Sequence, residues 1–393
     1  MLKNVFVLVL MVIFLISCQA GKEEAKKFST DFTQTVDKFR EKRAEVKTRD
    51  EYIAYKEERK KEFETLLKKY EESPAIEEIE ILRSKALLQL GELDKAEAKI
   101  DGVLAEGPEN VNEAKMVKVN ILIKREKYSE AYTIFKDIES EIKDLNDLYN
   151  AYYYIGQEYE DNKVKKDYSR KFLNAQDIPE NFKKSRYQMF GNLAAIAMVE
   201  GDPDKARTIL NEGIADTEDE RQKVSLEKRL AQLDFIGKGT YPLSTKTWLN
   251  SSYQDIKQLR GKVVVLFFWA TWCPYCRSMY PLLLEAYDKY TDQGLVVIGV
   301  TRLYGIYRDD IDDKGKVDRD EELDLIKKYL ERKKILIPCI VADDKADFES
   351  YKISGLPTMV FIDRQGNIDF FKVGSGDNEF VKEKIRKLVE EEV

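Results

Sequence analysis

Two cysteines separated by two residues, in Cys273-Pro274-Tyr275-Cys276, carry the clearest chemistry in this 393-residue chain. A pair so spaced, placed where an apolar strand hands over to a helix, suits thiol-disulfide exchange. Cys273 falls at the helix cap, where amide N–H groups lack carbonyl partners and the helix dipole is positive, so a thiolate there is stabilised. Pro274 suits the first helical position because its φ is already helical and it has no N–H to leave unpaired. Cys276, one turn further in, faces the same side and can displace a group captured on Cys273. Cys273 is therefore expected to attack and Cys276 to resolve. The reading requires Cys273 to be reachable from solvent. A zinc site needs about four ligands. The chain has no histidine and only one other cysteine, Cys339, outside its N-terminal leader, so neither a metal nor a cofactor is expected.

The elements that must position the pair are legible on both sides. Val263 to Phe268 is an unbroken apolar run that reads as a strand buried on both faces. After the cysteines, Met279, Leu282, Leu283, Ala286 and Tyr287 recur at helical spacing, predicting a helix from Pro274 to Tyr290. Strands are expected at Leu295 to Val300, Ile335 to Val341, Thr358 to Ile362 and Ile368 to Val373, the last two forming a hairpin. Helices are expected around Glu321 to Arg332, near Phe348, and from Asn378 to the end. This order predicts an α/β domain with the reactive turn at the carboxyl end of a strand.

The segment FFWATWCPYCRSMYP resembles the active-site segment of thioredoxin-fold proteins, and GKVVVLFFWATWC is similar to the extracytoplasmic TlpA/ResA-type thioredoxins, a likeness running from Tyr241 to Val393. GLPTMVFIDRQGNI resembles the cis-proline loop of the same family. The resemblance implies that Pro357 is cis, lies beside Cys273, and lets the backbone of Leu356 receive a substrate peptide as an added strand. Trp272, Pro274, Tyr275, Leu356 and Pro357 are thus expected to bind and orient the partner, a protein thiol or disulfide. A membrane redox protein is implied as the source or sink of electrons. The chain also departs from the family. Typical thioredoxins carry a buried Asp six residues before the first cysteine, where Phe267 stands here, and ResA-like members a Glu three residues after the second, where Met279 stands. No buried carboxylate is expected at the site, which predicts slower resolution or reliance on water.

Composition narrows the alternatives. The net charge of −7 leaves no basic footprint for nucleic acid. The absence of histidine removes Ser-His-Asp and Cys-His catalysis together. Cys339, in an apolar strand, is expected to be a buried inert thiol. The run from Arg308 to Glu322 partly imitates a calcium loop, with Asp310, Asp312, Gly315, Asp318 and Glu321 at ligand spacing, but Lys314 puts a cation at a ligand position, and a solvated surface loop is expected.

The remaining chain reads as an export and tethering apparatus followed by a helical array. Residues 1–17 form a bacterial lipoprotein signal peptide, since Leu15-Ile16-Ser17-Cys18 resembles the processing box that leaves Cys18 lipidated. Residues 18–50 are expected to be a tether, with Phe28, Phe32, Val36 and Phe39 marking a modest amphipathic helix. The protein is thus expected in the bacterial cell envelope, extracytoplasmic, on the periplasmic side and lipid-anchored to a membrane. Residues 51–236 carry degenerate copies of one phrase, at Gly91 to Ala96, Glu126 to Ala131 and Gly201 to Ala206, which look like tetratricopeptide (TPR) hairpins and could bind a protein ligand. Tyr149 and Tyr152 to Tyr154 read as core rather than groove. Ile236 to Thr240 is expected to be a linker before the thioredoxin-like domain, residues 237–393. The fold class is therefore multidomain: an all-α, TPR-like array followed by an α/β thioredoxin fold. Two competing functions fit the same sequence: a partner-binding lipoprotein with an accessory redox domain, and a peroxiredoxin-like peroxidase, against which the Thr271-Trp272-Cys273 context lacks an upstream proline.

Overall fold

The computed structural model describes residues 2–175, 177–243, 247–253, 255–376 and 378–391, and the side chains from residue 19 onward, except that of residue 49. The leader side chains, and with them the Cys18 lipidation reading, lie outside the described residues. Among the described residues no helix is long and apolar enough to cross a membrane. The chain divides into two compact units, residues 1–180 and 181–393.

The first unit is all helix: α1 (Leu2–Glu45), α2 (Arg49–Lys69), α3 (Glu77–Leu90), α4 (Leu93–Ala105), α5 (Val111–Lys124), α6 (Tyr128–Ile138), α7 (Leu145–Glu158) and α8 (Asn162–Asn174). The segment expected as a tether is instead folded into the first layer. Phe28 and Phe39 of α1 are buried with Phe63 and Tyr70 of α2 and Ile79 of α3, and the Phe28 and Tyr70 rings stack at 4.3 Å. Four aromatic and aliphatic residues on one helical face bury too much apolar surface to stay solvated. Thr48 starts α2 with a capping box shared with Glu51.

Hairpins follow because small residues let helices approach. Ala96 and Ala131 are fully buried, and Ser84 Oγ donates to the Ala96 carbonyl at 2.8 Å. At the α7/α8 crossing a Cβ on Gly156 would lie 2.9 Å from the Ser169 amide nitrogen. Gly156→Ala is accordingly expected to cost about 1–3 kcal/mol through overpacking against backbone, measured by urea denaturation. Tyr149 is core, and the hydroxyls of Tyr152 and Tyr168 both donate to Glu139, at 2.8 and 2.9 Å.

The division falls at the start of a one-turn α9 (Glu180–Lys183), and the second unit holds the helices α10 (Arg186–Val199), α11 (Pro203–Asp216) and α12 (Glu220–Leu233), and the sheet domain. The sheet comprises β1 (Thr247–Leu249), β2 (Val263–Phe268), β3 (Leu295–Arg302), β6 (Cys339–Ala342), β7 (Thr358–Ile362) and β8 (Ile368–Val373), in the order β1-β6-β3-β2-β7-β8. β2, β3 and β6 run parallel, while β1, β7 and β8 pair antiparallel. Val263, Val265 and Phe267 face a core with α13 (Pro274–Tyr290), α14 (Arg319–Arg332) and α16 (Asn378–Glu390). Val264, Leu266 and Phe268 face the other core, with Phe348 of α15 (Ala346–Ser350). This is a thioredoxin-like α/β arrangement after a helical region.

Three expectations are corrected. The strand foreseen from Ile335 begins only at Cys339: Lys334 turns with φ 54°, Leu336 is 73% exposed, and Pro338 has no N–H to give a ladder. The charged excursion forms a hairpin, β4 (Ile306–Arg308) with β5 (Asp313–Lys316). The stretch around Gly237 does not behave as a free linker: Gly237 N donates to the Ile368 carbonyl and Ile368 N to the Lys238 carbonyl, both at 2.8 Å.

Candidate active site

β2 ends at Phe268, and its buried continuation, Trp269 and Ala270, leads into a turn that places Cys273 at the N-cap of α13. Cys273 has extended backbone angles (φ −92°, ψ 105°), and its Sγ accepts the Cys276 amide N–H at 3.1 Å. Pro274 occupies the first helical turn. Cys273 and Cys276 are joined in a disulfide. A sulfur aligned with free amides at a helix start is placed to carry negative charge.

The accessibility expected of Cys273 is not what the oxidised form displays. Cys273 is only 3% exposed and Cys276 is fully covered, while Pro274 and Tyr275 stand out, Tyr275 at 66%. Half-buried Trp272 packs against the core that holds both sulfurs. The disulfide is thus reached at a surface made mainly by its flanking residues.

The Leu356–Pro357 peptide is cis. Thr358, the next residue, pairs with Phe268 at the end of β2, which sets the loop at the same end of the strand from which the Cys273 turn departs. Leu356 packs against the core cluster containing both cysteines. Phe267 and Met279, the two positions at which the family resemblance implied a carboxylate, are both buried, and Phe267 meets Tyr280 edge-on at 5.2 Å.

Three neighbours escaped sequence reasoning. Tyr304 meets the Trp272 ring edge-on at 5.4 Å and lies under the Arg302 guanidinium at 4.0 Å. Burial pushes the Tyr304 hydroxyl up to about 12. Its loop is pinned by Glu322, only 2% exposed, whose two carboxylate oxygens accept the amides of Tyr304 at 2.8 Å and Gly305 at 2.7 Å. Arg277 Nη1 donates to the Thr271 carbonyl at 3.0 Å, tying the turn to α13. Glu322 is hidden in sequence because it stands in an acidic run whose other members are solvated or cap a helix.

Cys339 is free and buried, and burial pushes its thiol up to about 12. In reduced, folded protein we expect iodoacetamide near neutral pH to modify Cys273 while leaving Cys339 unlabelled until denaturant is added, as read by peptide mass. Three acids of the calcium-like pattern are otherwise engaged: Asp310 pairs with Lys333 at 2.5 Å, Asp312 with Lys314 at 3.2 Å, and Asp318 caps α14. Among the described residues no group of three or more potential ligands could hold a metal.

Comparison with known proteins places this domain. Residues 243–371 match the AhpC/TSA family model. The chain is 26% identical over 153 residues to the thiol-disulfide oxidoreductase ResA of Bacillus cereus, a stretch covering 39% of this chain and 78% of that protein. It is 30% identical over 163 residues to protein DipZ of Mycobacterium tuberculosis, covering 40% of this chain and 22% of that one. Among solved structures, the thioredoxin domain of a thiol-disulfide oxidoreductase from Bacteroides vulgatus aligns at 24% identity and TM-score 0.32, over 39% of this chain and 97% of that one. ResA-like thiol-disulfide oxidoreductases are thus relatives of the C-terminal domain.

Proposed function

We propose that the protein is a thiol-disulfide oxidoreductase that exchanges disulfides with exported proteins through Cys273 and Cys276. One observation carries the reading: the Cys273 sulfur caps α13, accepts the Cys276 amide, and is bonded to the sulfur one turn further in. In the reduced protein the Cys273 thiolate attacks one sulfur of a substrate disulfide; that bond breaks, and the departing sulfur leaves as a thiolate that takes a proton from water. Cys276 then gives up its proton and attacks Cys273 Sγ, releasing the second substrate sulfur. Two electrons pass to the substrate and the Cys273–Cys276 disulfide remains. Run in reverse, the same steps oxidise a dithiol.

With Phe267 and Met279 in place of carboxylates, water is the acceptor we assign to the Cys276 proton. Trp272, Pro274, Tyr275, Leu356 and Pro357 would orient the partner, which has to approach over the exposed Pro274-Tyr275 edge. A membrane redox protein would restore the dithiol or disulfide, since one such domain cannot regenerate itself. Lipidated Cys18 would hold the protein to a membrane on the extracytoplasmic side of a bacterial envelope, and the TPR-like helices would offer a protein-binding surface. The direct test is dithiothreitol-driven reduction of insulin by the full chain. Catalysis by the parent protein and none by Cys273→Ser support the reading, whereas equal rates refute it.

The AhpC/TSA match favours one second reading, a peroxidase in which Cys273 attacks a peroxide oxygen, water leaves, and Cys276 displaces hydroxide from the resulting sulfenate. Our reading predicts that reduced protein consumes hydrogen peroxide no faster than an equal concentration of dithiothreitol. A peroxide rate exceeding the insulin rate would reverse the order of the two.

A further inference from the structure

The loop that carries Leu356 and Pro357 is anchored at both ends, and one anchor comes from outside the sheet domain. At its far end Thr358 enters β7 opposite Phe268, Thr358 Oγ1 donates to the Gly355 carbonyl at 2.8 Å, and Gly374 N donates to the Pro357 carbonyl at 2.8 Å. The near end follows α15. Ile353 N bonds back to the Phe348 carbonyl at 2.8 Å and Lys352 N to the Glu349 carbonyl at 3.0 Å, closing the helix with Lys352 in the left-handed region at φ 53°. Glycine is the usual residue there, because a side chain crowds the following carbonyl.

Those closing bonds use the last carbonyls of α15, and the carbonyls just past its end, of Tyr351, Lys352 and Ile353, meet donors on α12. Gln232 Nε2 donates to the Lys352 carbonyl at 2.9 Å and reaches the Tyr351 carbonyl at 3.4 Å, while Lys228 Nζ donates to the Ile353 carbonyl at 3.2 Å. Residues 228 and 232 lie one turn apart on a single helical face. Gln232 is 3% exposed, so its amide is committed to this contact. The same helical group touches the sheet domain elsewhere: Met198 of α10 packs against the core that holds both cysteines, and Phe235, just past α12, meets Tyr241 at 4.9 Å. Only residues 354–357 lie between the two anchors.

We propose that Gln232 and Lys228 are positioning residues for disulfide exchange: by holding the consecutive carbonyls of Tyr351, Lys352 and Ile353 they fix the loop that presents Leu356 to a substrate chain. Helices α10–α12 are then a working part of the redox unit, although their sequence reads as the end of a repeat array. The proposal rests on the oxidoreductase reading above. It concerns extended protein substrates, which use the loop, more than small disulfides, which need only the Cys273 sulfur.

The test compares the full-length protein with Gln232→Glu, which keeps the shape but turns the donor into an acceptor, and with Lys228→Met, which keeps the stem but removes the ammonium. Each is assayed with insulin and with 5,5′-dithiobis(2-nitrobenzoate), and amide hydrogen exchange is followed over residues 352–358. For Gln232→Glu the expected result is at least a tenfold rise in KM for insulin with kcat within about threefold of the parent. Its ratio of insulin to small-disulfide rate should fall about tenfold, with faster exchange confined to the loop. Lys228→Met should move the same way by a smaller factor, and Lys228→Arg should restore the parent values. Equal losses on both substrates, or no change in the ratio with the loop's exchange unaltered, would overturn the proposal. Parent protein inactive on both substrates would instead remove the oxidoreductase reading itself.

Discussion

Replacing Cys276 by serine is expected to leave the protein covalently bound to its partners and to slow steady-state exchange by at least about a thousandfold. The factor follows from geometry: Cys276 is held one turn from Cys273 with Cα atoms 5.2 Å apart. A nucleophile so placed acts at an effective concentration of roughly 10⁵ M or more, far above any thiol in solution. Without it the mixed disulfide formed at Cys273 can be cleared only by an external thiol. Non-reducing electrophoresis after expression of Cys276→Ser should show slower-migrating, dithiothreitol-sensitive species, and these should vanish in the Cys273→Ser/Cys276→Ser double variant. Adducts that survive the loss of Cys273 would assign the attacking role to another sulfur.

The second large effect is expected at a residue that makes no contact with sulfur. Glu322 offers its two oxygens to the amides of Tyr304 and Gly305 while almost wholly buried. Glu322→Ala would strand two backbone donors and open a cavity, at a cost of about 1–3 kcal/mol for each unsatisfied group. A total loss near 3 kcal/mol is expected in urea denaturation. Glu322→Gln, which keeps one acceptor but points an N–H₂ at an amide, should lose roughly half as much. Because Tyr304 backs the Trp272 ring, tryptophan fluorescence should shift toward that of exposed indole in the alanine variant. Wild-type stability in Glu322→Ala would mean that the Tyr304-Gly305 amides find other partners.

The turn that carries the cysteine pair was legible because its signals are local and agree with one another. The apolar run Val263 to Phe268, the cap position of Cys273 and the proline after it each specify the same strand-to-helix handover, and each lies within a few residues of the chemistry. Leu356-Pro357 was legible only through family resemblance, since proline before a strand has a plain structural meaning as well. What sequence could not show depends on distant partners. Glu322 is indistinguishable from its solvated neighbours until the Tyr304 loop folds over it. β1 is a three-residue edge strand of half-buried residues whose pairing with β6 spans about ninety positions, too short to register as a pattern. The β4–β5 hairpin pairs Ile306-Tyr307-Arg308 with a short charged strand, Asp313 to Lys316, across a turn in which the Asp309 carboxylate accepts the amides of Ile311 and Asp312, so turn geometry rather than hydrophobic alternation sets the pairing. The attachment of α10–α12 to the redox unit rests on side chains such as Gln232 meeting carbonyls more than a hundred residues away.

Cys273 as the activated sulfur is the claim on which the rest depends, and its reactivity against pH tests it most directly. Fully reduced protein would be alkylated with iodoacetamide across a pH series, with the modified cysteine identified at each point by mass. A sulfur at a helix start, accepting an amide hydrogen bond, should react with a midpoint clearly below the value of about 8.5 for a free cysteine. Modification confined to Cys273 with such a lowered midpoint is the predicted result. A midpoint at the free-cysteine value, or alkylation of Cys276 ahead of Cys273, would contradict the account.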